Sequence, residues 1–344
     1  MTGSREIDEK KKIFKDVCSR AGIHLSQPPE YHQFAFEESR FRGNMHLRNG
    51  QAGFYAQKSH QISPIADCKV LPKGMSGAYE SICNFASKFP TFNGEIYFAV
   101  SPDQKQITLD FLFDSHISSV ARTFLAETLQ TVPVIKGVVI TNGKKKNTLF
   151  GNPRLPITWN RHHVQLNPTS FFQSNPNSWQ TFWSIVSEWS AKFLSPNQWV
   201  WDMHAGSGFL ASAVSDHPVF ATEPNSIAHS NLKSLARKKG RVLQSSAENV
   251  LEKLTEINLG GLILDPPRIG LSRKIRDWIV RQGPESVLFF SCEWGTLTRD
   301  LKALLKSYEI EGPLHLLDVS PGTFRMESVV MLRRSVPRQN KMSS

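Results

Sequence analysis

Polar side chains that could take part in chemistry adjoin three apolar segments in the second half of the chain. Cys292 follows the run 286–290, Asp265 follows the run 260–264, and Glu327 begins the run that ends at residue 333. Such short apolar runs predict buried strands of a parallel sheet. Because open α/β sheets bind ligands at the carboxyl ends of their strands, we expect the thiol and the Asp265 carboxylate to lie on one rim.

Cys292 is the candidate nucleophile on that rim. A helix is predicted to begin just after it, and a helix amino terminus beside a thiol favours the thiolate, which is the reactive form. The alternative is a buried structural cysteine, since free cysteine is among the most buried residue types. Glu327 has two interpretations as well, as an edge residue in contact with solvent or as a base that faces the site.

A glycine-containing turn predicts a nucleotide-like cofactor. Asp202 starts the pattern D-x-x-x-G-x-G, which includes Gly206 and lies between a predicted strand and a predicted helix. About twenty residues later Glu223 ends the next strand, where a carboxylate can accept hydrogen bonds from ribose hydroxyls. The dinucleotide pattern G-x-G-x-x-G is absent, so S-adenosylmethionine fits better than NAD.

Gln173 is a polar residue among aromatic residues, just before a predicted helix that starts near Trp179. It could orient a ligand, or it could cap the turn. The residues alone leave these two interpretations open.

Composition favours a globular protein with a polyanionic partner. The 344 residues carry a net charge of +11, which suits nucleic acid, although excess charge also serves solubility. The four cysteines show no metal-binding or disulfide spacing, so we expect no metal and a reducing, cytoplasmic compartment. Because the amino terminus is charged and no long apolar run occurs, the sequence predicts neither secretion nor membrane insertion.

The chain divides by pattern into two domains. Residues 1–160 predict an α+β domain that contains an amino-terminal helix, hairpins between residues 31 and 65, and two later helices. Residues 161–344 predict an α/β domain with a parallel sheet. We expect RNA recognition in the first domain and catalysis in the second.

The motifs together resemble the RNA (uracil-5-)-methyltransferase family in order and approximate spacing. They are SFFQSN around Gln173, DMHAGSG around His204, the acid at Glu223, LDPPR at Asp265, SCEWGTLTRDL at Cys292 and the strand that begins at Glu327. The resemblance implies a Rossmann-like class I methyltransferase domain behind a smaller α+β central domain, in a compact member without the appended oligonucleotide-binding barrel.

The resemblance also implies a role for each matched residue. Cys292 corresponds to the nucleophile that adds to carbon 6 of uracil, and Glu327 to the base that removes the carbon 5 proton. The positions that bind S-adenosylmethionine are matched by Gln173, His204, Gly206, Glu223 and Asp265. The substrate would be a uridine that is unstacked from its RNA.

Some positions depart from the family's pattern. Only Cys68 remains of the cysteines that hold an iron-sulfur cluster in many relatives, so we expect no cluster. His204 and Ala205 replace an aromatic residue and a cysteine, and Glu293-Trp294 replaces Asn-Pro after the nucleophile.

The sequence favours methylation of a uridine in ribosomal RNA, and 23S ribosomal RNA in particular. Transfer RNA is the alternative substrate. We expect the enzyme to be a monomer. A non-catalytic RNA-binding descendant is a second class of function. A methyltransferase for protein or small molecules is a third. The presence of both Cys292 and Glu327 argues against the second and third classes.

Overall fold

The computed structural model describes residues 3–56, 58–65, 68–143, 145–160, 162–214, 216–236, 240–253 and 257–335. Its contacts divide the chain into two compact units, one of Ala35–Asn177 and one of Met1–Phe34 with Ser178–Ser344. This division differs from the predicted boundary at residue 160, because the first 34 residues join the carboxyl-terminal unit.

The helices alternate with strands in the carboxyl-terminal unit and pack on one sheet in the other. In chain order they are α1 (Gly3–Ala21), α2 (Met75–Lys88), α3 (Ser119–Gln130), α4 (Trp179–Phe193), α5 (Ser226–Ala236), α6 (Arg273–Gln282) and α7 (Trp294–Leu304). Short 3-10 turns lie at Pro176–Ser178, Ala211–Ala213, Ala247–Asn249 and Leu251–Lys253.

The strands before the second half of the chain are β1 (Glu30–Gln33), β2 (Arg42–Arg48), β3 (Gln51–Tyr55), β4 (Ile62–Ser63), β5 (Gly94–Val100), β6 (Ile107–Phe113), β7 (Ile135–Asn142), β8 (Lys145–Gly151), β9 (Leu155–Trp159) and β10 (His162–Leu166). Those that follow are β11 (Trp199–Asp202), β12 (Val219–Thr222), β13 (Arg241–Leu243), β14 (Leu259–Leu264), β15 (Ser286–Ser291), β16 (Tyr308–Ile310), β17 (His315–Asp318) and β18 (Glu327–Arg334).

The carboxyl-terminal unit is built on one mixed sheet with the order β1-β17-β18-β15-β14-β11-β12-β13, and β16 also pairs with β18. Neighbours from β15 to β13 are parallel, whereas β18 runs antiparallel to both β15 and β17. The order reverses at β11, which neighbours both β12 and β14. Ligands of open α/β sheets bind at such a switch point. The predicted Rossmann-like class I methyltransferase fold is confirmed.

Helices cover both faces of this sheet because its central strands are buried throughout. Every residue of β14 and of β15 is buried. On one face, Phe182 of α4 stacks on Phe290, and the Trp189 indole donates a hydrogen bond to Ser286 (2.8 Å). On the other face, Trp278 of α6 meets Trp201 edge to face. Aromatic contacts of this kind add to the burial of apolar surface.

The amino-terminal segment belongs to this unit. The predicted hairpin region from residue 31 is wrong at its start, because β1 pairs in parallel with β17 at the edge of the sheet instead of folding back on β2. Helix α1 packs against α7, where Phe14 meets Trp294 edge to face. A parallel partner distant in sequence leaves no local signal in the strand, so the hairpin pattern could not reveal it.

The unit Ala35–Asn177 contains a sheet with the order β4-β3-β2-β5-β6-β7-β8. Its pairs are antiparallel except β6 and β7, which α3 joins by a crossover. Helices α2 and α3 contribute Ile82, Phe85 and Leu125 to its core. The predicted α+β character of this part is confirmed.

Within the described ranges, no helix combines the length and the apolar character needed to cross a bilayer.

Candidate active site

Cys292 and Glu327 come together through the register of two neighbouring strands. The antiparallel ladder of β15 and β18 ends where Ser291 pairs with Ser328. Cys292 and Glu327 occupy the next position beyond that pair, one on each strand. The apolar strands therefore place the predicted nucleophile and the predicted base on the same rim of the sheet.

Asp265 reaches this rim from the adjacent strand β14, which pairs in parallel with β15. Two prolines follow it, and they exclude helix and ladder alike. Helix α7 then holds the rest of the loop by four hydrogen bonds, of which one runs from Arg299 Nη2 to the Leu271 carbonyl (3.3 Å). The others run from Thr296 Oγ1 to the Arg268 carbonyl (3.2 Å), from Arg299 Nη2 to the Ile269 carbonyl (2.9 Å), and from the Leu271 N–H to the buried Asp300 carboxylate (2.8 Å).

The thiol of Cys292 is half-buried, and burial raises its pKa to about 11. The carboxylates of Glu327 and Asp265 raise the pKa further, whereas the Arg268 guanidinium lowers it. The pKa of the thiol is therefore raised, in contrast to the lowering that the following helix was expected to cause. Burial is the main reason, and the Glu327 and Asp265 carboxylates act in the same direction.

The two carboxyl groups of the rim share this environment. Burial raises the pKa of Glu327, and the Asp265 charge raises it further while Arg268 opposes the change. Burial also raises the pKa of Asp265. A carboxylate with a raised pKa binds a proton more strongly, which is what a general base near neutral pH requires.

The glycine turn after β11 is held to the neighbouring strand by Glu223. The Gly206 N–H donates to Glu223 Oε2 (2.9 Å), and the Asn225 N–H donates to Oε1 (2.8 Å). Gly206 has φ of 52° and Gly208 has φ of 84°, a region that favours glycine. Each carboxylate oxygen can accept a further hydrogen bond, so Glu223 retains capacity for a hydroxyl ligand.

Two further polar groups of this turn are buried. They are the Asp202 carboxylate and Nδ1 of His204, and this nitrogen has no hydrogen-bond partner among the described residues. Burial raises the pKa of Asp202 to about 8, with Asp265 and Glu223 as further causes, whereas the backbone N–H groups of His204 and Ala211 lower it. Burial lowers the pKa of His204 to about 4, so its imidazole is neutral. Buried polar groups of this kind are normally satisfied, and a ligand can satisfy them.

The structure therefore brings six of the predicted residues into one unit, along the rim formed by β11, β12, β14, β15 and β18. They are His204, Gly206, Glu223, Asp265, Cys292 and Glu327. Gln173 is half-buried and lies in the other unit, and its role stays a prediction.

Sequence reasoning assigned no role to Asp202 or Arg268. In the sequence, Asp202 marks the start of the glycine pattern. It also stands at the end of an apolar strand, which is the same signal that identified Asp265. Arg268 acts through its charge on both Cys292 and Glu327. The sequence shows that Arg268 lies three residues after Asp265. It does not show how close Arg268 comes to the Cys292 thiol, because that depends on the conformation of the loop.

The residues present fit S-adenosylmethionine. Glu223 can accept hydrogen bonds from ribose hydroxyls, and the buried Asp202 carboxylate and the unpartnered Nδ1 of His204 lie in the same turn. The positive φ at Gly206 brings backbone, without a side chain, to the surface of that turn. All of this lies at the switch point of the sheet, where a nucleoside is expected to bind.

A family model described as tRNA (Uracil-5-)-methyltransferase matches residues 234–335. An RNA methyltransferase of Streptococcus pyogenes serotype M3 is 24% identical over 368 residues, covering 95% of this chain and 80% of the relative. One from Enterococcus faecalis is 26% identical over 370 residues, covering 96% and 79%.

Among solved structures, a Pyrococcus abyssi tRNA (uracil-54, C5)-methyltransferase in complex with S-adenosyl-L-homocysteine is similar, with a TM-score of 0.74 and 16% identity. The similarity covers 96% of this chain and 84% of that one, and it shows a shared fold. The matching model, the relatives that span nearly all of the sequence and the arrangement of the rim all agree with the RNA (uracil-5-)-methyltransferase family, to which this chain is similar.

Proposed function

We propose that this enzyme methylates carbon 5 of a uridine in ribosomal RNA, most of all 23S, with Cys292 as nucleophile and Glu327 as base. The observation that supports this assignment is the register of β15 and β18. Ser291 pairs with Ser328, so Cys292 and Glu327 are the next two residues that face each other across the two strands. Asp265 stands on the next strand of the same rim. The chemistry needs a nucleophile and a base at one uracil ring, and this rim offers both.

The proposed reaction begins when the Cys292 thiol releases its proton to solvent and Sγ bonds to carbon 6 of uracil. The electrons of the carbon 5–carbon 6 double bond move toward the carbon 4 oxygen, and carbon 5 becomes nucleophilic. Bound S-adenosylmethionine would supply an electrophilic methyl group for carbon 5, with S-adenosyl-L-homocysteine as the leaving group. Glu327 then takes the carbon 5 proton, the double bond re-forms, and Cys292 leaves carbon 6.

Cofactor binding in this proposal falls to Gln173, His204, Gly206, Glu223 and Asp265. Glu223 would accept hydrogen bonds from the ribose, as its two partly used oxygens allow. The neutral imidazole of His204 adds no positive charge beside the cationic sulfonium.

The RNA substrate and the setting complete the proposal. Residues 1–160 would contribute most of RNA recognition, and the exposed side chains at the start of β8 are basic, as at Lys145 and Lys146. We propose a monomeric, cytoplasmic enzyme, and expect it to work without an iron-sulfur cluster. Transfer RNA is the second candidate substrate, because the Pyrococcus abyssi relative is named for it.

Covalent trapping tests the proposal. The protein is incubated with S-adenosylmethionine and RNA that contains 5-fluorouridine, and a denaturation-resistant adduct is sought. Fluorine on carbon 5 cannot leave as a proton does, so the bond between Cys292 and carbon 6 should persist. We expect an adduct with 23S ribosomal RNA, none with Cys292→Ala, and an undiminished adduct with Cys68→Ala, which removes another half-buried thiol.

Glu327→Gln tests the second half of the reaction. Without the base, unmodified RNA should be methylated but not released, so an adduct accumulates while turnover falls by about 10²–10⁴. If only transfer RNA gives an adduct, the substrate is transfer RNA and not ribosomal RNA. Absence of any adduct while S-adenosyl-L-homocysteine still binds would refute the catalytic roles.

A further inference from the structure

A second cluster of polar side chains lies at the β1 edge of the sheet. Glu30 and His32 of β1 meet His315, the first residue of β17. His32 Nε2 is 3.1 Å from His315 Nδ1, and His315 Nδ1 is 3.3 Å from Glu30 Oε2. One potential ligand atom from each residue lies within 4.8 Å of the other two. No step of the proposed methyl transfer uses these residues.

The register of β1 and β17 explains why the three side chains meet. Glu30 is directly opposite His315, and His32 is two residues further along β1, so both point to the same face of the strand. The intervening Tyr31 points to the other face, where its ring receives the ammonium of Lys11 from α1. Glu30, His32 and His315 thus lie on the face opposite the one that Tyr31 presents to α1.

The spacing suits a tetrahedral metal ion. Ligand atoms that are about 2.0–2.1 Å from Zn²⁺ in tetrahedral geometry lie about 3.3 Å from one another. Two of the three separations, 3.1 Å and 3.3 Å, agree with that value, and the third, between Glu30 and His32, lies within 4.8 Å. Two imidazoles and one carboxylate are also among the ligand sets that zinc accepts, with water in the fourth position.

The ring nitrogens of the cluster can also be arranged to bind a metal. In the metal-free state one ring nitrogen must donate a hydrogen bond to the other. Metal binding requires only that this proton move to the other nitrogen of the same ring. Glu30 is exposed, which leaves a path from solvent.

We propose that Glu30, His32 and His315 form a zinc site that fastens β1 to the edge of the sheet. The ion would link residues that are 283 positions apart in the chain, between His32 and His315. Cross-linking of distant segments restricts the unfolded chain, and binding to the folded state alone stabilises it. The site is structural, and it lies on a different edge element from the methyl-transfer rim.

Zinc titration of the full chain, freed of any affinity tag and treated with a chelator, tests this site. Calorimetry should show one Zn²⁺ per chain, and Tm should rise with zinc concentration. Glu30→Gln, His32→Gln and His315→Gln should each weaken binding at least about tenfold, as even the loss of an outer hydrogen-bond partner does. His24→Gln removes an exposed imidazole of the same unit and should bind zinc as the wild type does.

Cobalt supplies an independent readout. Co²⁺ added to the metal-free chain should give the intense visible absorption of a tetrahedral site, and Zn²⁺ should displace it. The proposal is overturned if wild type binds no zinc at one equivalent, or if the Glu30→Gln and His32→Gln double variant binds it equally well. Either result leaves the covalent trapping of Cys292 unaffected, since neither measurement uses RNA.

Discussion

At the scale of residues, the rim contains two carboxyl groups, Asp265 and Glu327, and burial disfavours the charged form of each. Asp265 and Glu327 both act on the Cys292 thiol, and Arg268 opposes them. Close carboxylates in a buried place disfavour further negative charge, so the thiolate is disfavoured as well. The ordering of proton release along this rim is therefore part of the reaction, because Cys292 must lose its proton before it can attack carbon 6.

The alkylation of Cys292 by iodoacetamide should rise with pH throughout the range from about pH 6 to about pH 9. Since the pKa of the thiol is raised to about 11, the thiolate fraction grows about tenfold for each pH unit below that value. Mass spectrometry of the Cys292 peptide gives the rate. A plateau within this range would contradict the raised pKa.

The same measurement on variants separates the causes. Asp265→Asn and Glu327→Gln each remove a negative charge that acts on the thiol, so both should speed alkylation at a given pH. The Cys68 peptide in the same digest is the control, and its rate should not respond to either variant. Equal rates in wild type and both variants would leave burial as the sole cause.

At the scale of elements, a buried ion pair fixes helix α1 to strand β17. The Lys10 ammonium is fully buried and donates to both oxygens of Asp318, at 2.9 Å and 2.8 Å. It also pairs with Glu6 one turn earlier on α1, at 2.6 Å. Burial raises the pKa of Asp318 and Lys10 lowers it, so the lysine is what allows this carboxylate to stay charged.

Lys10→Met should destabilise the protein by about 3–5 kcal/mol, because it leaves Asp318 buried without its partner. The double variant Lys10→Met with Asp318→Leu should recover much of that loss, since apolar replacements of a buried pair are often neutral. Urea unfolding measures both. Lys12→Met, at an exposed position of the same helix, should change the free energy of unfolding by no more than about 0.5 kcal/mol. A Lys10→Met variant as stable as that control would contradict the structural role of the pair.

At the scale of the whole molecule, charge dominates the encounter with RNA. The chain carries +11, and a protein that contacts several phosphates releases the counterions bound to them. Recognition of the target base, in contrast, requires an unstacked uridine at the rim. Affinity and site selection therefore come from different parts of the interaction.

RNA affinity should fall linearly with the logarithm of salt concentration. Between about 50 mM and about 200 mM salt, a loss of at least about tenfold is expected, rising to about 10³–10⁵ for six to ten phosphate contacts. Filter binding at several salt concentrations measures the slope. Binding of S-adenosyl-L-homocysteine is the control and should change little, and an RNA affinity insensitive to salt would exclude the electrostatic contribution.

The sequence by itself determined the elements of the catalytic unit and the residues at their ends. Apolar strands with a polar residue at the end are local patterns, so Cys292, Asp265, Glu223 and the glycine turn could be identified from the chain. The motifs added the family, because their order and spacing are more specific than any one of them. The resemblance also implied the Rossmann-like fold of the catalytic unit.

Only the tertiary structure decided the register, the electrostatics and the place of the amino terminus. The pairing of β15 with β18 sets Cys292 opposite Glu327, and no local pattern specifies which residues of two distant strands meet. The raised pKa of Cys292 depends on burial first and then on the carboxylates of Glu327 and Asp265, which come from other segments of the chain. Likewise, nothing in the sequence of β1 identifies β17 as its partner. The edge of the sheet and the cluster of Glu30, His32 and His315 are therefore evident only in the folded chain.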